Sequence, residues 1–567
     1  MKKMKSIIGL ILTVFLPVMI ASAQHSAPDI PEKVKVHHET VSDPYMPNHF
    51  NNLKTTPGVK LRSTGFFTSQ VNVDANGNNI QGDAANEPSL AVNPRNPQQI
   101  VIGWRQFATI FSNFRQAGMG YTSDGGENWT NPGPIEPAVF RSDPVLDADT
   151  SGTIFYNSLT SDNGAFSCKV FRSKNGGASW DNGVEAFGGD KQWMYIDRSE
   201  SEGNGNIYSN WTSYYSACPP GAFTRSTNGG NSYENCVAID GNPYWGTLTT
   251  GNNGELYVAG TGPGDGAWVA ISNNAKIPGA SIFWDRTSQV NLDGYVASSP
   301  SVNPVGLLGQ VYIDVDRSTG PGRGNVYIVS SVVRLSNSDP GDVMFAKSTD
   351  GGQTWSLPIR LNDDPDPFHH QWFGTMSVAP NGRIDVVWLD TRHDPVVNIQ
   401  SCLYYCYSDD QGETWSINKK LSEVFDPTVG WPQQSKMGDY FDMESDNTGA
   451  HLAWANTLNG EQDVYYSRIL PSIVSVDEYS QDRTPALEVY PNPVAGFTKI
   501  KYTVSDHARV NLGIFDLTGR RITTLTDEVK NQGMYTLDYS AGVLPAGSYI
   551  LKLTNGVKSA HCKLIRQ

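Results

Sequence analysis

The residues of this chain best suited to chemistry share one kind of position. Glu87, Asp143, Asp190 with Lys191 and Trp193, Tyr244 with Trp245, His369 with His370 and Trp372, and Asp439 with Tyr440 all stand where a short strand is expected to begin. Connections between later strands add Arg105, Trp211, Arg334 and the group Asp390, Arg392 and His393. Carboxylates can pass protons, aromatic faces pack on the apolar faces of sugar rings, and cationic side chains bond hydroxyls or a carboxylate. The set therefore suits a glycan. Arg105, Lys191, Trp193, Trp245, Arg334, His370, Trp372 and Arg392 are the expected binding residues, and Glu87, Asp143, Asp439 and Tyr440 the expected reacting ones. Each also has a plainer use. A carboxylate ahead of a strand caps a turn, an aromatic fills core between sheets, and 390–394 is polar enough for a solvated loop.

Other chemistries find less. His369 and His370 lie near Asp363, Asp364 and Asp366, donor types that suit a divalent ion, but neighbours on an extended chain point opposite ways. No metal site is assigned on that ground. Asp147 with Asp149 and Asp314 with Asp316 lack a full calcium-loop pattern, so a structural calcium ion is the one ion left open and no cofactor is expected. There is no Gly-x-Ser-x-Gly elbow, His-Glu-x-x-His helix or phosphate-binding glycine loop.

The elements that must position these side chains are marked by a repeated octet. Its copies are Thr122-Ser-Asp124-Gly-Gly-Glu-Asn-Trp129, Ser173-Lys-Asn175-Gly-Gly-Ala-Ser-Trp180, Ser226-Thr-Asn228-Gly-Gly-Asn-Ser-Tyr233, Ser348-Thr-Asp350-Gly-Gly-Gln-Thr-Trp355 and Ser408-Asp-Asp410-Gln-Gly-Glu-Thr-Trp415. A decayed copy runs from Ser272 to Trp284. The Asp or Asn accepts backbone N–H bonds, glycine permits positive φ, and the closing aromatic covers the turn. These are folding elements rather than catalytic carboxylates. Around each octet the chain supplies short strands, as at 144–149, 153–158 and 167–173. Four strands per unit of roughly 45–75 residues predict a β-propeller. The units lie near 87–135, 143–187, 190–240, 244–291, 309–362, 370–424 and 437–470. The seventh shows three strands, which a strand at 67–73 would complete, so seven blades are expected, with six as the alternative. Because an octet joins the third strand to the fourth, these strand starts crowd the opposite face.

The octets resemble the Asp-box (BNR) repeat of sialidase-like propellers. The resemblance implies a ligand site on the face away from the boxes. It also implies an arginine cluster for a substrate carboxylate (here Arg105, Arg334 and Arg392), a nucleophile in Tyr440, and acid/base roles for Glu87 and Asp143. The expectation is a glycosidase-like or polysaccharide-degrading protein that engages a glycan or glycoprotein. A non-catalytic glycan- or protein-binding propeller is the alternative, and a purely structural one would show a mouth plugged by side chains.

The rest of the 567 residues reads as appendages. Lys2, Lys3 and Lys5, an apolar run over 7–20 and Ala21-Ser22-Ala23 predict a cleaved secretory signal over 1–23. The segment 24–60 lacks apolar periodicity and is expected to be a poorly ordered arm ahead of a propeller at 61–470. A linker at 471–485 leads to a small β-sandwich at 486–567. Its Tyr490-Pro-Asn-Pro493, Asp516-Leu-Thr-Gly-Arg520 and Leu544-Pro-Ala-Gly-Ser-Tyr549 segments resemble the type A C-terminal sorting domain of type IX secretion. That implies contact with the secretion machinery and a secreted or surface location. The net charge of −15 disfavours nucleic acid as a partner, no further stretch is apolar enough to span a membrane, and a monomer is expected. In an exported chain Cys218 and Cys236 are the favoured disulfide pair. Cys402 and Cys406 would lie about 13 Å apart on a straight strand, beyond bridging.

Overall fold

The computed structural model describes residues 31–38, 43–46, 54–162, 165–471, 487–504, 507–531, 533–555 and 558–567. The expected signal and nearly all of the linker lie outside them. The described chain is almost entirely β. Between residues 60 and 469 it forms seven antiparallel sheets of three to five strands. Their first strands are Ala84–Val92, Ser142–Ala148, Gly189–Ile196, Leu248–Thr250, Tyr312–Val315, Gln371–Val378 and Asp442–Ser445. These first strands adjoin one another in chain order, and the seventh adjoins the first. The seventh sheet is finished from the N-terminal side, where Phe66–Gln70 pairs with Asp463–Ile469.

A first strand at the rim of its sheet has backbone groups with no ladder partner on one side. Side chains of the adjoining first strands supply partners. The N–H of Leu146 donates to Ser89 Oγ (2.9 Å), Ile196 to Asp147 Oδ2 (2.6 Å), Ile313 to Thr247 Oγ1 (3.0 Å) and Val378 to Asp314 Oδ2 (2.9 Å). Ser445 N–H donates to Ser377 Oγ (2.9 Å) and Leu90 N–H to Asp442 Oδ2 (3.1 Å). Between the third and fourth sheets the link is Thr250 Oγ1 to Asp197 Oδ1 (3.1 Å). Several inner strands are thus covered on both faces and read as continuous buried runs without alternation, as in Ser142–Ala148 and Ile100–Phe107.

The octets fold as local chemistry dictates. In the five good copies the N–H of the fifth residue donates to the opening Ser or Thr Oγ at 2.8–3.3 Å. The N–H of the seventh donates to the Asp or Asn Oδ1 at 2.8–3.1 Å. The decayed copy keeps the scheme, with Ala275 N–H on Ser272 Oγ (3.1 Å) and Phe283 N–H on Asn274 Oδ1 (3.0 Å). The fifth residue is glycine for two reasons. Gly412 has φ +75°, and a Cβ there would stand 2.6 Å from Phe345 of the preceding sheet. Gly126 meets Tyr466 of the seventh sheet in the same way, so each octet also seals a seam.

The described residues of the N-terminal segment are not all irregular. A short helix, Glu32–His37, and a strand, Thr55–Pro57, lie within it, and Val34 is 1% exposed. Polar composition hid this because the segment buries single residues against distant loops rather than a periodic face. Cys218 and Cys236 form a disulfide, while Cys168, Cys402 and Cys406 are buried thiols. In the tail, a three-stranded and a four-stranded sheet enclose Ile500, Tyr502, Leu512, Ile514, Leu551 and Leu553. No helix among the described residues is long and apolar enough to cross a membrane.

Candidate functional site

Four of the seven first strands start with a register shift, between Asn86 and Ser89, Ser142 and Val145, Asp190 and Trp193, and Trp372 and Thr375. At these bulges Glu87 (φ 48°), Asp143 (46°), Lys191 (54°) and Phe373 (56°) adopt the left-handed backbone, as does Trp245 (58°) ahead of the fourth sheet. A bulge re-aims a side chain. Holding a non-glycine residue there costs about 1–3 kcal/mol, so something beyond the backbone keeps these side chains in place. The charged ones converge.

Glu87 Oε1 accepts from Arg105 Nη1 at 2.8 Å and lies 3.1 Å from Lys436 Nζ. Asp439 Oδ2 receives Lys191 Nζ (2.6 Å) and Lys436 Nζ (2.7 Å), and its Oδ1 receives the Leu307 N–H (3.0 Å). Asp143 Oδ2 accepts the Lys191 N–H (3.1 Å), and its Oδ1 the Ser142 hydroxyl (2.6 Å). Arg105 also reaches Gln434. Glu87, Arg105, Asp143, Asp190, Lys191, Lys436 and Asp439 are each buried. Glu87 Oε2 and Asp190 Oδ1 are buried without a hydrogen-bond partner.

The acids differ in ionisation although all are buried. Burial pushes Glu87 up to about 7 against the pull of Arg105 and Lys436. Burial likewise lifts Asp190 to about 7 despite Lys191. At Asp439 the burial effect is outweighed by Lys191 and Lys436, which hold it well below the usual range. Asp143 is also held low, by Lys191 and Arg105 against burial. Two acids poised near neutrality beside two carboxylates held ionised form the kind of split pair that proton-transfer sites use.

The other expected residues are placed as follows. The mouth is not open at the four expected reacting residues, since Glu87, Asp143, Asp439 and Tyr440 are all 1% exposed or less. The Tyr440 hydroxyl donates to the Pro144 carbonyl at 2.8 Å, and burial raises it well above the usual phenol range. The arginines do not cluster. Arg105 pairs with Glu87, Arg334 pairs with Asp293 and Asp342, and Arg392 pairs with Asp390 and Asp363 while lying over Tyr404. Trp372 is core, its indole N–H on Ser401 Oγ, and Trp193 packs edge-on against Tyr440 and Tyr312. Buried His370 shares a 2.8 Å hydrogen bond with Ser301 Oγ, and burial lowers it to about 4. Trp245 lies against Tyr244 beneath the N-terminal helix. Among the described residues no group of three or more His, Cys, Asp or Glu is arranged to hold a metal ion.

Sequence reasoning missed Lys436 and Arg115. Arg115 is buried with its Nε on Ser142 Oγ (3.1 Å), and burial lowers it to about 10. Lys436 precedes Asp439 by three residues in a stretch without strand pattern; that spacing to a singled-out carboxylate was the one available signal.

Residues 488–567 match the secretion system C-terminal sorting domain family. No curated protein matches the chain. Among solved structures, a protein of unknown function from Dyadobacter fermentans is similar at 15% identity over 72% of this chain and 99% of that one, with a TM-score of 0.41. A Trypanosoma rangeli sialidase, solved with 2,3-difluorosialic acid, is similar at 10% identity over 90% and 89% of the two chains, with a TM-score of 0.36. A polysaccharide lyase of family PL25, an ulvan lyase, is similar at 11% identity over 69% and 94%, with a TM-score of 0.37. None of these likenesses assigns a residue or an activity to this chain. The tail, by contrast, marks the chain for export through type IX secretion.

Proposed function

We propose that this is an exported seven-bladed Asp-box propeller that acts on a glycan at the face opposite its octets. The axial charge cluster would supply acid/base groups. Glu87 is the proton donor, poised near neutrality, and Asp143 or Asp439 the ionised partner. Lys191 and Arg105 would hold an acidic or hydroxylated sugar. The observation that carries this reading is the convergence of four strand-start acids with split ionisation, two with an oxygen left unpartnered in the interior. Contact with the type IX machinery through the tail goes with it.

The burial of the same cluster favours a second reading, in which the propeller binds a glycan or protein and cuts nothing. One experiment separates the two. The exported chain, started at Gln24, is incubated with sialylated, uronic-acid and neutral glycans, and both binding and released products are recorded by mass spectrometry. The catalytic reading predicts a defined released sugar, lost by a factor of about 100 or more in Glu87→Gln. Binding without product supports the second reading, and neither binding nor product removes both.

A further inference from the structure

The N-terminal helix does not lie at random on the molecule. Lys33 extends its ammonium over two rings, 5.5 Å from the Tyr244 centroid and 5.4 Å from that of Trp245, and pairs with the Asp265 carboxylate. Beside it Val34 is buried among Tyr244, Trp245 and Leu307, with Tyr214 and Tyr215 packed around them. The His38 ring stacks on Tyr215, with centroids 4.4 Å apart and planes 14° apart. Further along, Asp43 accepts the Asn113 N–H (2.8 Å) and the Ser112 hydroxyl (3.2 Å), and Tyr45 packs on Phe114 at 5.6 Å.

These anchors touch the axial cluster from two sides. Leu307, under Val34, donates its N–H to Asp439. Asn113, under Asp43, accepts Arg115 Nη1 through its carbonyl at 2.9 Å. The segment therefore bears on loops of the first sheet and on loops ahead of the fourth and fifth, across the mouth where the strand-start residues gather.

The place where Lys33 sits has the chemistry of an alkylammonium site. Two aromatic faces and a carboxylate replace much of the water such a group loses on burial. The Lys33 side chain is 15% exposed. Trp245 is held in the left-handed backbone that places it there. Next to Lys33 a cavity of about 490 Å³, lined in part by Asp265, Tyr295, Val333 and His370, leaves room beyond the lysine.

We infer that Tyr244, Trp245 and Asp265 form a receptor site for an alkylammonium-bearing segment, and that residues 31–38 of the same chain occupy it and, with residues 43–46, cover the axial cluster in cis. The occupant is displaceable, because it is held by a few side chains and not by strand pairing. The inference stands whether or not the cluster processes a glycan.

The test uses the full chain from Gln24, with Lys33→Ala, Val34→Asp and Asp265→Asn variants. Hydrogen–deuterium exchange reads residues 31–38, and a labelled synthetic peptide of residues 27–46 reads the site in trans. Each variant raises exchange in 31–38 by about tenfold while the sheets and the melting temperature stay unchanged. The peptide binds the Val34→Asp chain saturably. It binds the unmodified chain at least about tenfold more weakly, because the cis segment competes. The same peptide carrying Lys33→Ala also binds the Val34→Asp chain about tenfold more weakly. Equal exchange in unmodified and variant chains, equal binding of the two peptides, or no binding of either overturns the proposal.

Discussion

The octet turns and the axial cluster both hold acids, but the cluster drives two of its own upward, Glu87 and Asp190, while it holds Asp143 and Asp439 down. In the octets Asp350 is held down to about 2 by hydrogen bonds, first from the Thr354 hydroxyl and N–H. On the axis Glu87 is pushed up to about 7 by burial. An octet carboxylate sits at the surface with donors arranged by its own eight residues. An axial carboxylate loses water, and its compensation comes from residues up to several hundred positions away, as Lys191 compensates Asp439. Local donors make a rigid turn with no proton to exchange. Burial with incomplete compensation makes a group that can change charge near neutral pH.

That contrast can be broken from the axial side with the largest effect. Asp439→Ala leaves Lys191 and Lys436 buried beside each other without their shared carboxylate. A loss of about 3–5 kcal/mol is expected, read by urea unfolding. At a seam, Gly412→Ala places a Cβ against Phe345 at a positive φ and is expected to cost about 1–3 kcal/mol in the same assay. In the turn itself, Asp350→Ala removes the acceptor of the Gln353 and Thr354 N–H groups, an expected loss of about 1–2 kcal/mol. A neutral effect there would show that the octets are redundant.

The smallest effect sharpens the comparison through pH. Glu87 has a folded pKa above its unfolded value, so the stability tied to it is fully present below about 4.5 and declines as pH rises through about 7. Asp350 has a folded value below its unfolded one, so its contribution is present above about 4 and disappears as pH falls through about 2. Glu87→Gln should flatten the slope of stability between pH 5 and 8 and leave the acid limb alone. Asp350→Asn should do the reverse.

The two regions also differ in how far they could be read in advance. The octets were legible because the bonds that close their turns lie within eight residues, and the decayed copy at Ser272 was visible because it keeps the same two side-chain acceptors over a longer turn. The sheet spans followed from octet spacing, and the strand that completes the seventh sheet from its apolar run. Strand-start position singled out Glu87, Asp143 and Lys191, which stand at bulges, and Asp439, which stands ahead of a strand without one. It did not reveal that Tyr440 turns to the Pro144 carbonyl, that Arg334 and Arg392 find acids of their own, or that Lys436 completes the group. Those outcomes depend on side-chain direction and on loops without period. The N-terminal segment escaped for a related reason: Lys33 and Val34 carry no pattern until Tyr244, Trp245 and Asp265 stand beside them.

The claim that the axial cluster acts on a glycan is tested most directly by product release at controlled pH. The exported chain should liberate a defined sugar from one glycan class, and Glu87→Gln should abolish release while the chain stays folded and glycan binding persists. Undiminished release by Glu87→Gln, or a chain that neither binds nor cleaves any class offered, would contradict it.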